Sequence, residues 1–187
     1  MIHFYKPNAK ITGTCCSFYL NKKDNSFFST LIKQDGWDSN RRVGSFKKNK
    51  DNPNKRVNVK FNTAEIASII DAIKSNRKFT GYHGSNQIAR FTFGPYERDG
   101  KQVGFSYSVT KESKEDSTSK ASFLIGFTFP EGELLSQHLS YILQESFKIT
   151  DSTLEMAMKK NSYNDNAAPQ QNDKPSELVD EDEDDLW

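Results

Sequence analysis

The sequence contains little cysteine and no long apolar run. Its two cysteines, Cys15 and Cys16, are adjacent. Neighbours in a strand point to opposite faces, and no second pair is present to complete a zinc site. We therefore expect reduced thiols in a cytosolic protein. No apolar run reaches the length needed to cross a bilayer, and the first residues lack the basic-then-apolar pattern of a secretory signal.

The sequence also lacks the usual enzyme motifs. It has no glycine-rich phosphate loop, no nucleophile elbow and no His-Glu-x-x-His pattern. Its three histidines are scattered, and His138 lies on an apolar helical stripe, where a packed histidine is the simpler interpretation. Solubility and turn formation account for the acidic residues of the loops. We expect a protein without catalytic activity, cofactor or metal.

Charge is distributed unevenly along the chain. The formal net charge is only +1, but residues 161–187 hold one base and nine acids, a net −8. Residues 1–160 hold 25 bases and 16 acids, a net +9. The basic body predicts a polyanionic partner, and the acidic tail is expected to mimic that partner's charge.

A strand that leads directly into a helix is predicted for residues 56–73. Val57, Val59 and Phe61 alternate with polar residues, which is typical of a strand with one buried face. Asn62 and Glu65 then have the spacing of a capping box. The apolar stripe of the helix consists of Ile66, Ile69, Ile70 and Ile73.

The same arrangement recurs at residues 122–147. Phe123, Ile125, Phe127 and Phe129 alternate, Pro130 suits a first helical turn, and a second apolar stripe contains Leu135, His138, Leu139 and Ile142. Aligning Val57, Val59 and Phe61 with Ile125, Phe127 and Phe129 treats Gly132 as an extra residue. We interpret the match as an internal duplication.

The remaining patterns extend this duplication to the whole body. They predict a hairpin of residues 11–20 and 26–34, a short strand within 37–46, a basic loop at 47–55, strands at 78–83, 87–96 and 103–111, a turn at Asp99-Gly100, and a short helix at 150–160. The predicted fold class is α+β: two ββββα units with antiparallel sheets and helices packed together. The units span residues 1–76 and 77–160 and form one pseudo-dimeric nucleic-acid-binding domain, followed by a disordered acidic tail at 161–187.

Bases interleaved with aromatics suggest where a nucleic acid binds. Lysine and arginine follow phosphates, and aromatic rings stack on bases without reading them. Trp37 is the most informative residue because it lies beside a turn and a basic run. Tyr5 and Lys6 share the pattern, although a solvated basic face with aromatics in the core explains it too. The candidate residues are Lys33, Trp37, Arg41, Arg42, Lys47, Lys48, Arg56, Lys60, Phe79, Tyr82, Arg90, Tyr96, Arg98 and Lys101.

The last residues suggest a protein partner. The acidic run that begins at Asp180 ends on Leu186 and Trp187. This tip resembles those of bacterial and phage single-stranded-DNA-binding proteins, which end in acids, a hydrophobic residue and a terminal aromatic. Those tips commonly end in Phe after a Pro, whereas this one ends in Trp and lacks the Pro. The resemblance implies a docking segment of Asp182, Glu183, Asp184, Asp185, Leu186 and Trp187.

The body resembles the Whirly and positive-cofactor-four-like group of single-stranded-DNA-binding proteins. The resemblance covers residues 10–147 and depends on element order and duplication, since the Lys-Trp-rich signature of plant Whirly proteins is absent. It implies binding of single-stranded DNA by the sheets, with helices holding the units together, and is compatible with a homo-oligomer. Together with the acidic tail, it suggests a bacteriophage protein that acts in DNA replication or recombination in the host cytoplasm, with no membrane partner. The tail would recruit partner proteins and modulate DNA binding. The alternatives are an RNA-binding or transcription-regulating protein of the same fold, and a module that binds an acidic protein.

Overall fold

The computed structural model describes residues 1–84, 87–113 and 120–165 of the chain. The chain divides into two units, Met1–Asp151 and Ser152–Trp187. The elements, in chain order, are β1 (Ile2–Lys6), β2 (Thr14–Asn21), β3 (Ser26–Lys33), β4 (Gly36–Asp38), β5 (Val43–Ser45), β6 (Arg56–Phe61), α1 (Thr63–Lys74), β7 (Phe79–Gly84), β8 (Gln87–Arg98), β9 (Lys101–Ser113), β10 (Lys120–Phe127) and α2 (Phe129–Asp165).

Two four-stranded antiparallel sheets make up most of the first unit. The first sheet has the strand order β1-β2-β3-β6, and the second has the order β10-β9-β8-β7. Each sheet is followed in the chain by a helix, α1 after β6 and α2 after β10. The predicted α+β class, with two sets of four antiparallel strands and a helix, is therefore confirmed.

The inner faces of the two sheets share one hydrophobic core. The rings of Phe18 and Tyr107 lie 5.5 Å apart between centroids, and those of Phe61 and Phe91 lie 5.1 Å apart. The hydroxyl of Tyr107 is fully buried and forms a 2.7 Å hydrogen bond with Ser29 Oγ, so this polar group is satisfied inside the core. Because side chains alternate along a strand, the opposite face of each sheet carries a second, independent set of residues.

Both helices begin with a capping box. In α1 the Glu65 amide donates to Asn62 Oδ1 at 2.8 Å, and the Asn62 amide donates to Glu65 Oε2 at 2.9 Å. In α2 the Thr128 amide donates to Glu131 Oε2 at 2.8 Å, and the Glu131 amide donates to Thr128 Oγ1 at 3.4 Å. The predicted cap at Asn62 is confirmed, and Thr128 is its counterpart in the second half.

The matched caps correct the predicted alignment of the halves. Phe127, which is buried and ends β10, is the counterpart of Phe61, whereas Phe129 is 48% exposed and begins α2. The predicted alignment was therefore wrong by two residues. Gly132 is not an extra residue, because it stands four positions after the cap, as Ile66 does in α1. A Cβ atom at Gly132 would lie 2.5 Å from the Phe105 ring, so this ring fills the space of the missing side chain.

Each cap also contacts the first strand of the other half. Glu65 Oε1 lies 2.8 Å from His83 Nε2 in β7, and Glu131 Oε2 accepts a 2.6 Å hydrogen bond from Lys6 Nζ in β1. Within the first unit, His138 of α2 forms a 3.3 Å hydrogen bond with the Phe18 carbonyl of β2. The helix cap of each half thus contacts the first strand of the other half. The packing of α1 against α2 stays a prediction.

Several other boundaries differ from the sequence-based expectation. Strand β1 was not predicted, and residues 37–46 contain the separate β4–β5 hairpin where one short strand was expected. Helix α2 continues through 150–160 to Asp165 because no glycine or proline interrupts the chain after Gly132 in that stretch. The tail was therefore predicted to begin too early, and its remainder, 166–187, lies outside the described residues. The turn at Asp99-Gly100 is confirmed, with φ angles of 53° and 72°.

Candidate nucleic-acid interface

The outward face of the first sheet carries three rows of side chains that cross the strands. Rows on one face of a sheet are about 7 Å apart, since they are two residues apart along each strand. The register places the rows as Tyr5–Cys15–Ile32–Arg56, His3–Ser17–Thr30–Asn58 and Tyr19–Phe28–Lys60. Tyrosine and phenylalanine rings thus belong to the outer rows, and the middle row carries the hydroxyl groups of Ser17 and Thr30.

A groove of about 580 Å³ lies over this face, and we call it the first-sheet groove. Its floor includes Tyr5, Cys15, Ser17, Tyr19 and Thr30. Its basic side consists of Lys47, Lys50 and Arg56, and Phe46 lies beside them. The groove therefore combines apolar rings with cations on one side.

Two groups of aromatic rings lie at opposite ends of the first-sheet groove. Tyr5 lies 6.0 Å from both His3 and Phe46 between ring centroids, and its side chain is 61% exposed. At the other end, Tyr19 and Phe28 stack at 5.5 Å with an interplanar angle of 21°. Tyr19 and Phe28 are half-buried. Accessible ring surfaces at these positions can stack with planar ligands such as nucleobases.

The basic loop, residues 47–55, is held by hydrogen bonds that involve its backbone and the Asn49 side chain. Asp35 Oδ2 accepts from the Lys48 amide at 2.6 Å, and Asn49 Nδ2 donates to the Lys33 carbonyl at 2.9 Å. Arg56 Nη1 donates to the Lys50 carbonyl at 3.0 Å. Among the described residues, the side chains of Lys47 and Lys50 take part in no ion pair. Their charges therefore remain available to an anion.

Solved structures place this architecture among known folds. No protein-family model matches the sequence, and no curated protein matches it by sequence. The crystal structure of WHY1 from Arabidopsis thaliana is similar, with a TM-score of 0.55 at 11% sequence identity over 87% of this chain and 92% of that one. The chain has a Whirly-like fold. At this level of identity the similarity concerns the fold alone.

Most of the candidate cations from the first half of this Whirly-like fold lie at or near the first-sheet groove. Lys47 and Arg56 line it, Lys48 is adjacent in the loop, and Lys60 belongs to the outer row. Lys60 Nζ lies 5.9 Å from the Phe28 ring centroid.

Lys33 is the last residue of β3, and its Nζ lies 5.0 Å from the centroid of the Phe123 ring in the other sheet. Desolvation by burial, and then the nearby charge of Lys55, lower the pKa of Lys33. The remaining first-half candidates, Trp37, Arg41 and Arg42, lie on the β4–β5 hairpin or its turn, and Trp37 is half-buried there.

The candidates from the second half are dispersed. Tyr82 and Arg90 form a cation–π pair at 5.4 Å on the outward face of the second sheet, whereas Arg98 and Lys101 flank the β8–β9 turn. Tyr96 lines a separate cavity of about 200 Å³. Phe79 packs against Phe91 at 5.9 Å in the core, which accounts for this ring without a ligand.

Sequence reasoning left several groove residues out of the candidate set. These are His3, Tyr19, Phe46 and Lys50, together with Phe28, which stacks on Tyr19, whereas Tyr5 was recognised only as sharing the pattern. The alternation in β2 and β3 contains a usable signal, because Tyr19 and Phe28 follow the buried Phe18 and Phe27 and so point to the other face. The proposed docking residues Asp182, Glu183, Asp184, Asp185, Leu186 and Trp187 lie outside the described residues.

The two thiols contribute little reactivity to the site. Burial raises the pKa of Cys15 to about 11, and burial also raises the pKa of Cys16 well above its usual value. Both therefore remain protonated at neutral pH. Within the described part of the chain, no cluster of three or more His, Cys, Asp or Glu residues could hold a metal ion, and no helix there is long and apolar enough to span a membrane.

Proposed function

We propose that this chain is a non-enzymatic protein that binds single-stranded DNA in the first-sheet groove without reading its sequence. The observation that carries the proposal is that accessible rings on one sheet face and cations without an ion pair line the same groove. Lys47, Lys50 and Arg56 lie where they can contact phosphates, and Tyr5 and Tyr19 offer stacking surfaces at the two ends. A duplex keeps its bases stacked inside, so these rings favour a strand whose bases are free.

The cellular role that fits this activity is the coating of exposed strands during replication or recombination, in a bacteriophage-infected host cytoplasm. The acidic tip, Asp182–Trp187, would recruit a replication or recombination protein. Its charge would also compete with DNA for the basic groove, because the tail is negative and the body is positive. The Whirly-like fold supports this role.

Direct binding measurements test the proposal. Fluorescence titration with oligo-dT, a matched duplex and a matched RNA at the same salt should show the tightest binding to the single-stranded DNA. An RNA that binds more tightly than the DNA would favour the RNA-binding alternative. Absence of binding to all three would contradict the proposal.

A pair of matched variants tests the location. Replacing Lys47 and Lys50 with Gln should reduce the slope of log affinity against log salt by about 1.4, because each lost phosphate contact contributes about 0.7. Replacing Lys74 and Lys78 with Gln removes the same charge from exposed positions outside the groove and should leave the slope nearly unchanged. Equal losses in both variants would mean that only the net charge of the body matters.

A further inference from the structure

A buried lysine lies next to the first-sheet groove. Lys111 is in β9, on the inner face of the second sheet, and only 8% of its surface is exposed. Its Nζ donates to the backbone carbonyl of Pro53 in the basic loop. The two residues opposite it in the neighbouring strands are Ala89 and Ala121, which carry no charge. A residue from the second half thus holds the loop of the first half.

Lys111 takes part in no ion pair formed by the described residues. An ammonium group has three N–H donors, and a single carbonyl engages one of them. Desolvation lowers the pKa of Lys111, as expected where burial disfavours the charged form. Burying a cation without an anion is unfavourable, so the site gains from a negatively charged ligand.

A polar cavity of about 400 Å³ lies at this lysine. Lys50, Arg56 and Lys111 line it together with Asp51, so cations outnumber acids among the lining residues by three to one. Lys50 and Arg56 also line the first-sheet groove, so the two spaces are neighbours. The lining of this cavity therefore includes cations from both halves of the chain.

We propose that this cavity binds one backbone phosphate of the nucleic-acid strand as the strand leaves the first-sheet groove. The inference depends on the proposed function of that groove. Lys111 supplies a fixed cation at the wall, whereas Lys50 and Arg56 approach the same phosphate from the loop and from β6. The phosphate completes the coordination of Lys111 and holds the basic loop in its binding position.

The first test uses Lys111→Met, which keeps the apolar stem and removes the charge. The salt slope of oligo-dT binding should fall by about 0.7, the contribution of one phosphate, and affinity should fall by about tenfold or more. Lys78→Met removes the same charge at an exposed position and should resemble the wild type. Lys111→Arg keeps the charge and should keep the wild-type slope, and circular dichroism of both variants at position 111 should show that the sheets remain folded.

A second test detects the anion without nucleic acid. Inorganic phosphate should raise the melting temperature of the wild type above that in chloride of equal ionic strength, and Lys111→Met should abolish this rise. Oligonucleotides with and without a 5′-phosphate should bind equally, because the site takes an internal phosphate. A gain confined to the 5′-phosphorylated strand would overturn that assignment.

The two proposals can fail separately. If the wild type binds oligo-dT and loses affinity on Lys47→Gln, but a folded Lys111→Met keeps the wild-type slope and phosphate gives no protection, the phosphate site is wrong and the groove stands. If the wild type binds no single strand, the function of the groove itself is wrong.

Discussion

Tyr5 and Tyr19 are the residues on which base stacking can be tested most directly. Replacing either by Ala should weaken binding of oligo-dT by about 1–3 kcal/mol, because each substitution removes a stacking surface. The salt slope should stay unchanged, since no phosphate contact is lost. Fluorescence titration over a range of salt measures both quantities.

Tyr141 provides the matched control for these substitutions. It is an exposed tyrosine on α2, so Tyr141→Ala removes the same side chain from outside the groove. The control should bind with wild-type affinity, and Tyr5→Phe should retain most of the binding because the ring remains. A loss in Tyr141→Ala equal to that in Tyr5→Ala would locate the strand elsewhere.

Trp37 presents a separate question, because it lies on the β4–β5 hairpin and does not line the first-sheet groove. If a base stacks on it, Trp37→Ala should weaken binding by about 1–3 kcal/mol. The titration needs circular dichroism beside it to confirm that the sheets remain folded. Wild-type affinity in a folded variant would assign Trp37 to the packing of the hairpin.

At the scale of elements, the start of α2 is coupled to β1 through Glu131. Desolvation disfavours the charged carboxylate, but the hydrogen bonds from Lys6 and from the Thr128 amide outweigh it, so the pKa of Glu131 is lowered. A carboxyl group whose folded pKa is depressed stabilises the fold above its unfolded pKa. That contribution is lost as pH falls through the folded value, below the ordinary value of 4.5.

The substitution Glu131→Gln should therefore lower stability at pH 7 by about 0.5–1 kcal/mol, as expected for a partly exposed ion pair. The difference from the wild type should shrink as pH falls below the carboxyl pKa. Urea unfolding at a series of pH values measures this difference. A difference that stays constant with pH would mean that the cap geometry, and not the charge, accounts for the effect.

At the scale of the whole molecule, charge separation predicts an effect of the tail on binding. Deleting residues 166–187 removes a net charge of −7 and leaves the described part of α2 intact. If the tail competes for the groove, the deletion should tighten oligo-dT binding, most strongly at low salt. The competition weakens as the Debye length falls to about 10 Å near 0.1 M salt.

A variant that lacks only the last two residues distinguishes competition with DNA from recruitment of a partner protein. Deleting only Leu186 and Trp187 keeps every acid, so DNA affinity should hardly change, while binding of a replication partner should fail if the aromatic tip is the anchor. A pull-down from the native cell beside the titration measures both. An unchanged set of captured proteins would leave the tip without a docking role, and unchanged affinity after the full deletion would exclude competition.

The sequence by itself determined the local elements of this protein. The cap at Asn62 and Glu65, the turn at Asp99-Gly100 and the alternation in β6 all depend on interactions within a few residues. Such interactions are encoded by neighbouring side chains, and so most strands and the cap of α1 could be predicted without knowledge of the packing, although β1 was missed.

Only the tertiary structure decided which face of each sheet is free. Both faces of β2 and β3 carry aromatic rings, and alternation separates Phe18 from Tyr19 without saying which of them meets the other sheet. The burial of Lys111 and its contact with Pro53, 58 positions away in the chain, likewise depend on how the halves pack. Burial is a property of partners distant in sequence, and for this reason the groove and the phosphate cavity emerged only from the packing of the two sheets.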